Sequence, residues 1–212
     1  MDALAWNVMS WLTAFINKRK VALYCSDVSG AFDRVKTERL LEKLKRKGVH
    51  EMVLKVLSSW LQKRKFSVIV DGTQSKWYEL RNSVYQGTVW GPPLWNCFYE
   101  DATRAIHAEH FMETVFADDL NCFREFETDT KKEIIYDRLE RCQKSLHEWG
   151  RANQVIFDST KESFHILHPR VSDGENFRLL GITFDPQLTM RPTCSEIASI
   201  AIGRAKSLLK NS

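Results

Sequence analysis

TVFADDLNCF, Thr114–Phe123, sets two carboxylates, Asp118 and Asp119, inside an otherwise apolar run. Two like charges side by side repel, and taking them out of water worsens the repulsion. Either the pair stands on an exposed turn, where aspartate is common, or something positive binds it. The longer stretch METVFADDLNCFREF is β-prone on both sides of the pair, which predicts a hairpin with Ala117–Asp119 at its tip.

Working outward, VALYCSD (21–27) reads as a short buried strand that runs into Asp27. Before it, Trp6, Met9, Leu12, Ala14, Phe15 and Ile16 recur with helical spacing and predict an opening helix that ends at the basic NKRK. TERLLEKLKRKG predicts a helix capped by Thr37, lined by Leu40, Leu41 and Leu44, and ended by Gly48. EMVLKVLSSWLQKRK predicts a second, and FSVIVDGTQSKWYEL a hairpin about Gly72. Pro92 and Pro93 are expected to open one apolar helix, PPLWNCFYEDATRAIHA, since proline costs nothing in a first turn. Residues 128 to about 151 predict a long helix with Ile134, Ile135, Leu139, Cys142, Leu146 and Trp149 on one face. ESFHILH and FRLLGITFD supply further strands, and TCSEIASIAIGRAKSLLK a closing helix. Strands and helices mix without a βαβ rhythm. The expected class is α+β, a largely antiparallel sheet packed by helices.

Composition sets limits on function. With 43% hydrophobic and 27% charged residues in 212, the chain has the balance of a globular protein able to bury a core. A net charge of +4 (31 Lys and Arg against 27 Asp and Glu) permits a nucleic-acid partner without requiring one. The five cysteines, Cys25, Cys97, Cys122, Cys142 and Cys194, are scattered with no CxxC, which argues against a zinc site or a disulfide framework. No apolar run approaches the ~18–20 residues of a membrane span. The expected setting is intracellular, nucleus or cytoplasm, with no signal peptide and no membrane partner.

If the strand ending at Asp27 neighbours the Asp118–Asp119 hairpin, three carboxylates converge at one sheet edge. Mg²⁺ takes such oxygen ligands, usually one or two carboxylates with water and substrate phosphates. Two such ions can hold the attacking and leaving oxygens of a phosphoryl transfer. Alone, the pair reads more simply as an Asp-Asp turn.

The segments DVSGAFDRV (27–35), NSVYQGTVWGPPLWNCFYED (82–101) and FADD (116–119) occur in an order and spacing that resemble the palm of a reverse transcriptase, in particular that of non-LTR (LINE-type) retrotransposons. NQVIFDSTKESFHIL and FRLLGITFDPQLTM are similar to the family's next motif, which carries a lysine, and to its primer grip. The resemblance runs from about Val21 to Met190 and implies an RNA-directed DNA polymerase. Asp27 and Asp118 would be metal ligands for two Mg²⁺ (or Mn²⁺) ions, with Asp119 in the same cluster and the Val28 carbonyl an added ligand. Phe32 would crowd a ribose 2′-OH and favour dNTPs, although by itself it reads as a core phenylalanine. Gln86 and Gly87 would lie along the nucleotide and template, and Lys161 would help protonate the pyrophosphate leaving group, its alternative being a solvated loop cation. The implied partners are an RNA template, a DNA primer and a dNTP.

Asp33 is read as a helix-entry residue and the tryptophans as core or interface, with no binding role. The runs 43–47 and 63–65 are read as solvated charge at helix ends, and only secondarily as contacts to a phosphate backbone. The match departs at Tyr85, where the family usually has proline, and at Pro93, where leucine is more usual. One domain is expected: residues 1–212 as a partial palm, 1–20 a remnant of a fingers-side helix and 193–212 a candidate start of a thumb, fingers and thumb being mostly missing. On that basis the isolated chain is expected to be weak or inactive. The competing readings are a catalytically inactive remnant or nucleic-acid-binding module, and a palm polymerase of another kind that Phe32 disfavours.

Overall fold

The computed structural model describes residues 3–28, 30–80, 84–117, 119–171 and 174–210. In chain order the elements are α1 (Ala3–Ile16), β1 (Arg19–Asp27), a single 3-10 turn (Phe32–Arg34), α2 (Thr37–Arg46) and α3 (Glu51–Leu61). Four short strands follow: β2 (Arg64–Phe66), β3 (Ile69–Val70), β4 (Thr73–Gln74) and β5 (Tyr78–Leu80). Then come α4 (Gly91–Tyr99), α5 (Ala102–Ala108), β6 (Met112–Phe116), β7 (Asp119–Glu127) and α6 (Lys132–Asn153). The chain closes with β8 (Ser163–Leu167), β9 (Phe177–Leu179), β10 (Ile182–Phe184) and α7 (Arg191–Lys210). The α+β expectation holds.

The chain clusters into two compact units. The first (Met1–Ser26, His110–Arg141, Lys161–Ser212) carries a four-stranded sheet ordered β6-β7-β1-β8. The β1–β8 and β6–β7 pairings are antiparallel, with Val21 facing Leu167 and Phe116 facing Asp119. Its core gathers around Trp11, whose ring meets Phe123, Phe177 and Phe184 edge-on at 6.0–6.4 Å. This is the favoured geometry for aromatic quadrupoles.

The periodicity of α1 misleads. Asn7, Trp11 and Ala14 are its buried residues, while Trp6, Met9, Leu12 and Ile16 are exposed. Asn7 is inside with its Oδ1 accepting a 2.6 Å hydrogen bond from the Thr114 hydroxyl. Its Nδ2 is buried without a hydrogen-bond partner, so the single bond offsets only part of the cost of a polar group on a core face.

The second unit (Asp27–Glu109, Cys142–Thr160) is mainly helical. Three expectations fail in it. Thr37 is buried and makes no cap bond; the N-cap is Lys36. The far end does behave as expected: Gly48, at φ +83, and Val49 donate to the Lys45 and Leu44 carbonyls, a Schellman stop. The single proline-opened helix is instead two, α4 and α5, broken at Glu100–Asp101. Lys43 is not a free solvated charge but a part-buried one. Its Nζ donates at 2.7 Å to both Asp101 and the Phe98 carbonyl and lies 4.3 Å over the Phe98 ring. Asp101 also accepts from Trp149 Nε1 at 2.8 Å, so its Oδ1 at the break serves two part-buried donors. Within α6, Ile135, Leu139, Cys142 and Leu146 are buried, but Ile134 is half exposed. It sits about 100° round the helix from Ile135.

Candidate polymerase site

β1 delivers Asp27 as its last residue. The strand is central in its sheet and has Val21 to Tyr24 fully buried, so its end is a fixed platform. The Asp27 carbonyl accepts from the Asp158 amide at 3.0 Å, and Val28 forms an antiparallel bridge with Phe157. Both sequence-assigned positions therefore have their main chain held.

The β6–β7 hairpin pairs Phe116 with Asp119 and turns at Ala117, whose φ is +56. Asp118 lies outside the described residues. Asp119 opens β7 and acts on Cys25 of β1. Burial pushes the Cys25 thiol up to about 12, a hydrogen bond with Ser163 pulls it down, and the Asp119 charge adds to the rise. Cys25 and Asp27 are two apart on a strand, and alternation gives them the same face. Among the described residues no three His, Cys, Asp or Glu side chains gather as a metal site. The donors that are described, carboxylate and carbonyl oxygens, are those a hard divalent cation prefers.

The opposite face of β1 carries a group that the sequence did not signal. Glu162, next to Lys161, accepts from the Tyr24 hydroxyl and, at 3.2 Å, from Ser26. Burial and this bond hold the Tyr24 phenol well above its ordinary range. Glu162 thus ties the segment carrying Lys161 to β1. Lys161 itself is exposed on the turn before β8.

In the second unit, Phe32 and the segment 84–91 are adjacent. The Val84 amide donates to the Phe32 carbonyl at 2.8 Å, and the Phe32 ring lies 5.8 Å from Trp95. Phe32 is half-buried, neither free nor sunk in the core. Gln86 and Gly87 are exposed on the turn that follows. Gly87 has φ +81, and a Cβ there would meet nothing within 4 Å. Backbone conformation, not close approach within the chain, accounts for that glycine.

Close approach belongs to Gly91 instead, where a Cβ would lie 2.8 Å from the Tyr85 carbonyl and 3.6 Å from the Phe32 ring. The glycine in WGPP is the signal the sequence offers for it. Thr88 closes the turn, donating to the Tyr85 carbonyl at 2.7 Å and accepting from the Gly91 amide at 3.1 Å. Tyr85, which replaces the family's usual proline, packs edge-on to Trp60 at 5.0 Å beneath the Arg64 guanidinium. Its packing braces the turn from outside rather than through a fixed φ.

Comparison with known proteins agrees with this architecture. The sequence profile described as reverse transcriptase (RNA-dependent DNA polymerase) matches residues 7–184. The chain is 34% identical over 197 residues to an RNA-directed DNA polymerase from mobile element jockey of Drosophila melanogaster, covering 84% of this chain and 21% of that one. The Drosophila funebris counterpart is 26% identical over 206 residues, covering 87% and 22%. The chain therefore spans about a fifth of the length of the curated relatives it matches. Its fold resembles that of apo telomerase from Candida tropicalis (truncated from the C-terminal domain), with a TM-score of 0.65, 12% identity, and 87% of this chain and 38% of that one covered. Telomerase from Candida albicans, in complex with a TWJ fragment of telomeric RNA, aligns with a TM-score of 0.63 at 14% identity, covering 88% and 33%. The chain belongs to the reverse transcriptase (RNA-dependent DNA polymerase) family.

Proposed function

We propose that this chain is the palm-bearing part of the RNA-directed DNA polymerase of a non-LTR retrotransposon, transferring a nucleotide from a dNTP to a primer 3′-OH on an RNA template. The observation that carries the reading is the sheet order, which sets β7, opened by Asp119, beside β1, which ends at Asp27. The family's chemistry uses divalent metal ions. Here Asp27 and Asp118 would hold Mg²⁺ (or Mn²⁺), two ions in all, with Asp119 nearby and the Val28 carbonyl assisting. When bound, the ions neutralise charge on the reacting phosphate and orient it.

The chain's own residues do the remainder. Phe32 stands beside the Gln86–Gly87 turn, where a ring excludes a 2′-OH and so selects deoxynucleotides. Gln86 and Gly87 offer an exposed turn to the nucleotide and template. Lys161 carries the proton for the departing pyrophosphate, its segment held to β1 through Glu162. Positioning and charge stabilisation of this kind are most of what phosphoryl transfer asks of a protein.

Two measurements on the same variants test the proposal. Mg²⁺ or Mn²⁺ should raise the melting temperature of the wild type, by relieving carboxylate repulsion, and raise that of Asp118→Asn less. The chain alone should extend a primed RNA poorly. Lengthened on both sides to match its curated relatives, it should synthesise DNA, with Asp27→Asn and Asp118→Asn each costing on the order of 10²–10³ in rate. Equal metal response and equal synthesis in Asp118→Asn would sink the assignment.

A further inference from the structure

The segment from Lys63 to Leu80 forms an arm: β2 pairs with β5, β3 with β4, and the chain reverses at Asp71–Gly72, both at positive φ. Nearly all of it is exposed, including Phe66 (44%), Ile69 (67%), Trp77 (63%) and Tyr78 (42%). Holding several large apolar side chains in water is a signature of a surface that meets a partner.

The chemistry on the arm narrows the partner's class. Phe66 and Tyr78 face each other across β2–β5, and their rings stack at 5.5 Å and 28°. Lys76 Nζ lies 5.4 Å over the Tyr78 ring. At the base of the arm is a cleft of about 830 Å³, with Lys36, Lys63, Arg64 and Lys65 in its wall against Glu38 and Glu79. Cations outnumber acids there, and on the arm Lys65 and Lys76 directly precede the rings of Phe66 and of Trp77 and Tyr78. A polyanion with exposed π-faces fits both features, and a single nucleic-acid strand is such a ligand. A base-paired duplex supplies the phosphates but hides the faces of its bases in the stack.

We propose that the arm is a platform for single-stranded nucleic acid, with phosphates in the basic cleft and bases extending the Phe66–Tyr78 stack. It rests on the reading of the chain as a template-copying enzyme, but it needs neither the metal nor the carboxylates. Trp77 joins the platform, against its assignment to core or interface.

The test is fluorescence anisotropy in excess chelator, with an unstructured RNA of about 16 nucleotides and a blunt RNA duplex of the same length. The wild type should prefer the single strand. Phe66→Ala with Tyr78→Ala should weaken that binding roughly tenfold or more, since stacking on an aromatic is worth that much per base. Lys65→Gln with Lys76→Gln should instead flatten the salt dependence. The substituted side chains are exposed, so the melting temperature should hold and report that the variants fold. Equal affinity for strand and duplex, or wild-type binding by the double alanine variant, would overturn the proposal. So would a self-association, seen in sedimentation, that the alanines abolish while RNA binding persists; the arm would then be a protein interface. Because no metal is present, these outcomes are independent of whether Asp118→Asn abolishes synthesis.

Discussion

The β6–β7 hairpin and the β2–β5 arm are made of similar material and meet opposite fates. Each is a β-prone run interrupted by aspartate. In β7, Leu120, Asn121, Cys122 and Phe123 are buried, and the hairpin is one edge of a four-stranded sheet. In the arm, the strands pair only two by two and nearly every side chain faces water. An embedded hairpin can hold a carboxylate to a fixed place. A projecting one can only offer its surface. Local sequence supplies the hairpin, and the neighbours decide what it is for.

The sharpest way to break this comparison is to truncate one phenylalanine in each. Phe123→Ala, beside Trp11 in the core, should cost roughly 3–5 kcal/mol in urea unfolding. Phe66→Ala should stay within about 0.5 kcal/mol, as exposed substitutions do. Equal costs would mean that the arm is covered in solution.

A smaller effect separates two glycines. Gly91→Ala drives a methyl onto the Tyr85 carbonyl, which is backbone and cannot swing away. Overpacking of this kind should cost about 1–3 kcal/mol. Gly72→Ala in the arm meets no atom, only its φ of +78, and should cost about 1–2 kcal/mol. The Gly91 variant should also disturb the Gln86 turn, so that in the lengthened chain synthesis falls with Gly91→Ala and not with Gly72→Ala.

The smallest effect appears only away from neutral pH. His165, stacked on Phe177 at 4.6 Å, is held down to about 4 by burial. Its contribution is present above its ordinary value of 6.5 and is lost as pH falls through about 4. Tyr24 and Cys25 are both raised, so their contributions are full below 9 and are lost as pH climbs from there. Urea midpoints should therefore fall on both sides of neutrality. His165→Gln should flatten the acid side alone. The arm, Lys63–Leu80, contains no histidine, so arm substitutions should leave that acid slope unchanged.

The order of the motifs, the strand into Asp27, the hairpin at Ala117 and the Gly48 stop were all legible in the sequence. Each depends on residues close together in the chain: a turn needs its own φ, and a strand its own alternation. The faces of α1, the break between α4 and α5, the burial of Lys43 and the Tyr24–Glu162 pair were not. Asn7, a core residue, takes its one side-chain hydrogen bond from Thr114, 107 positions away. Asp101, at the break between α4 and α5, accepts from both Lys43 and Trp149 on one oxygen, Oδ1. Glu162 bonds a strand 136 positions before it, at Ser26. Periodicity restricts which residues can share a face, but a face becomes core, site or surface only through the groups the fold brings against it, and those partners are distant in sequence.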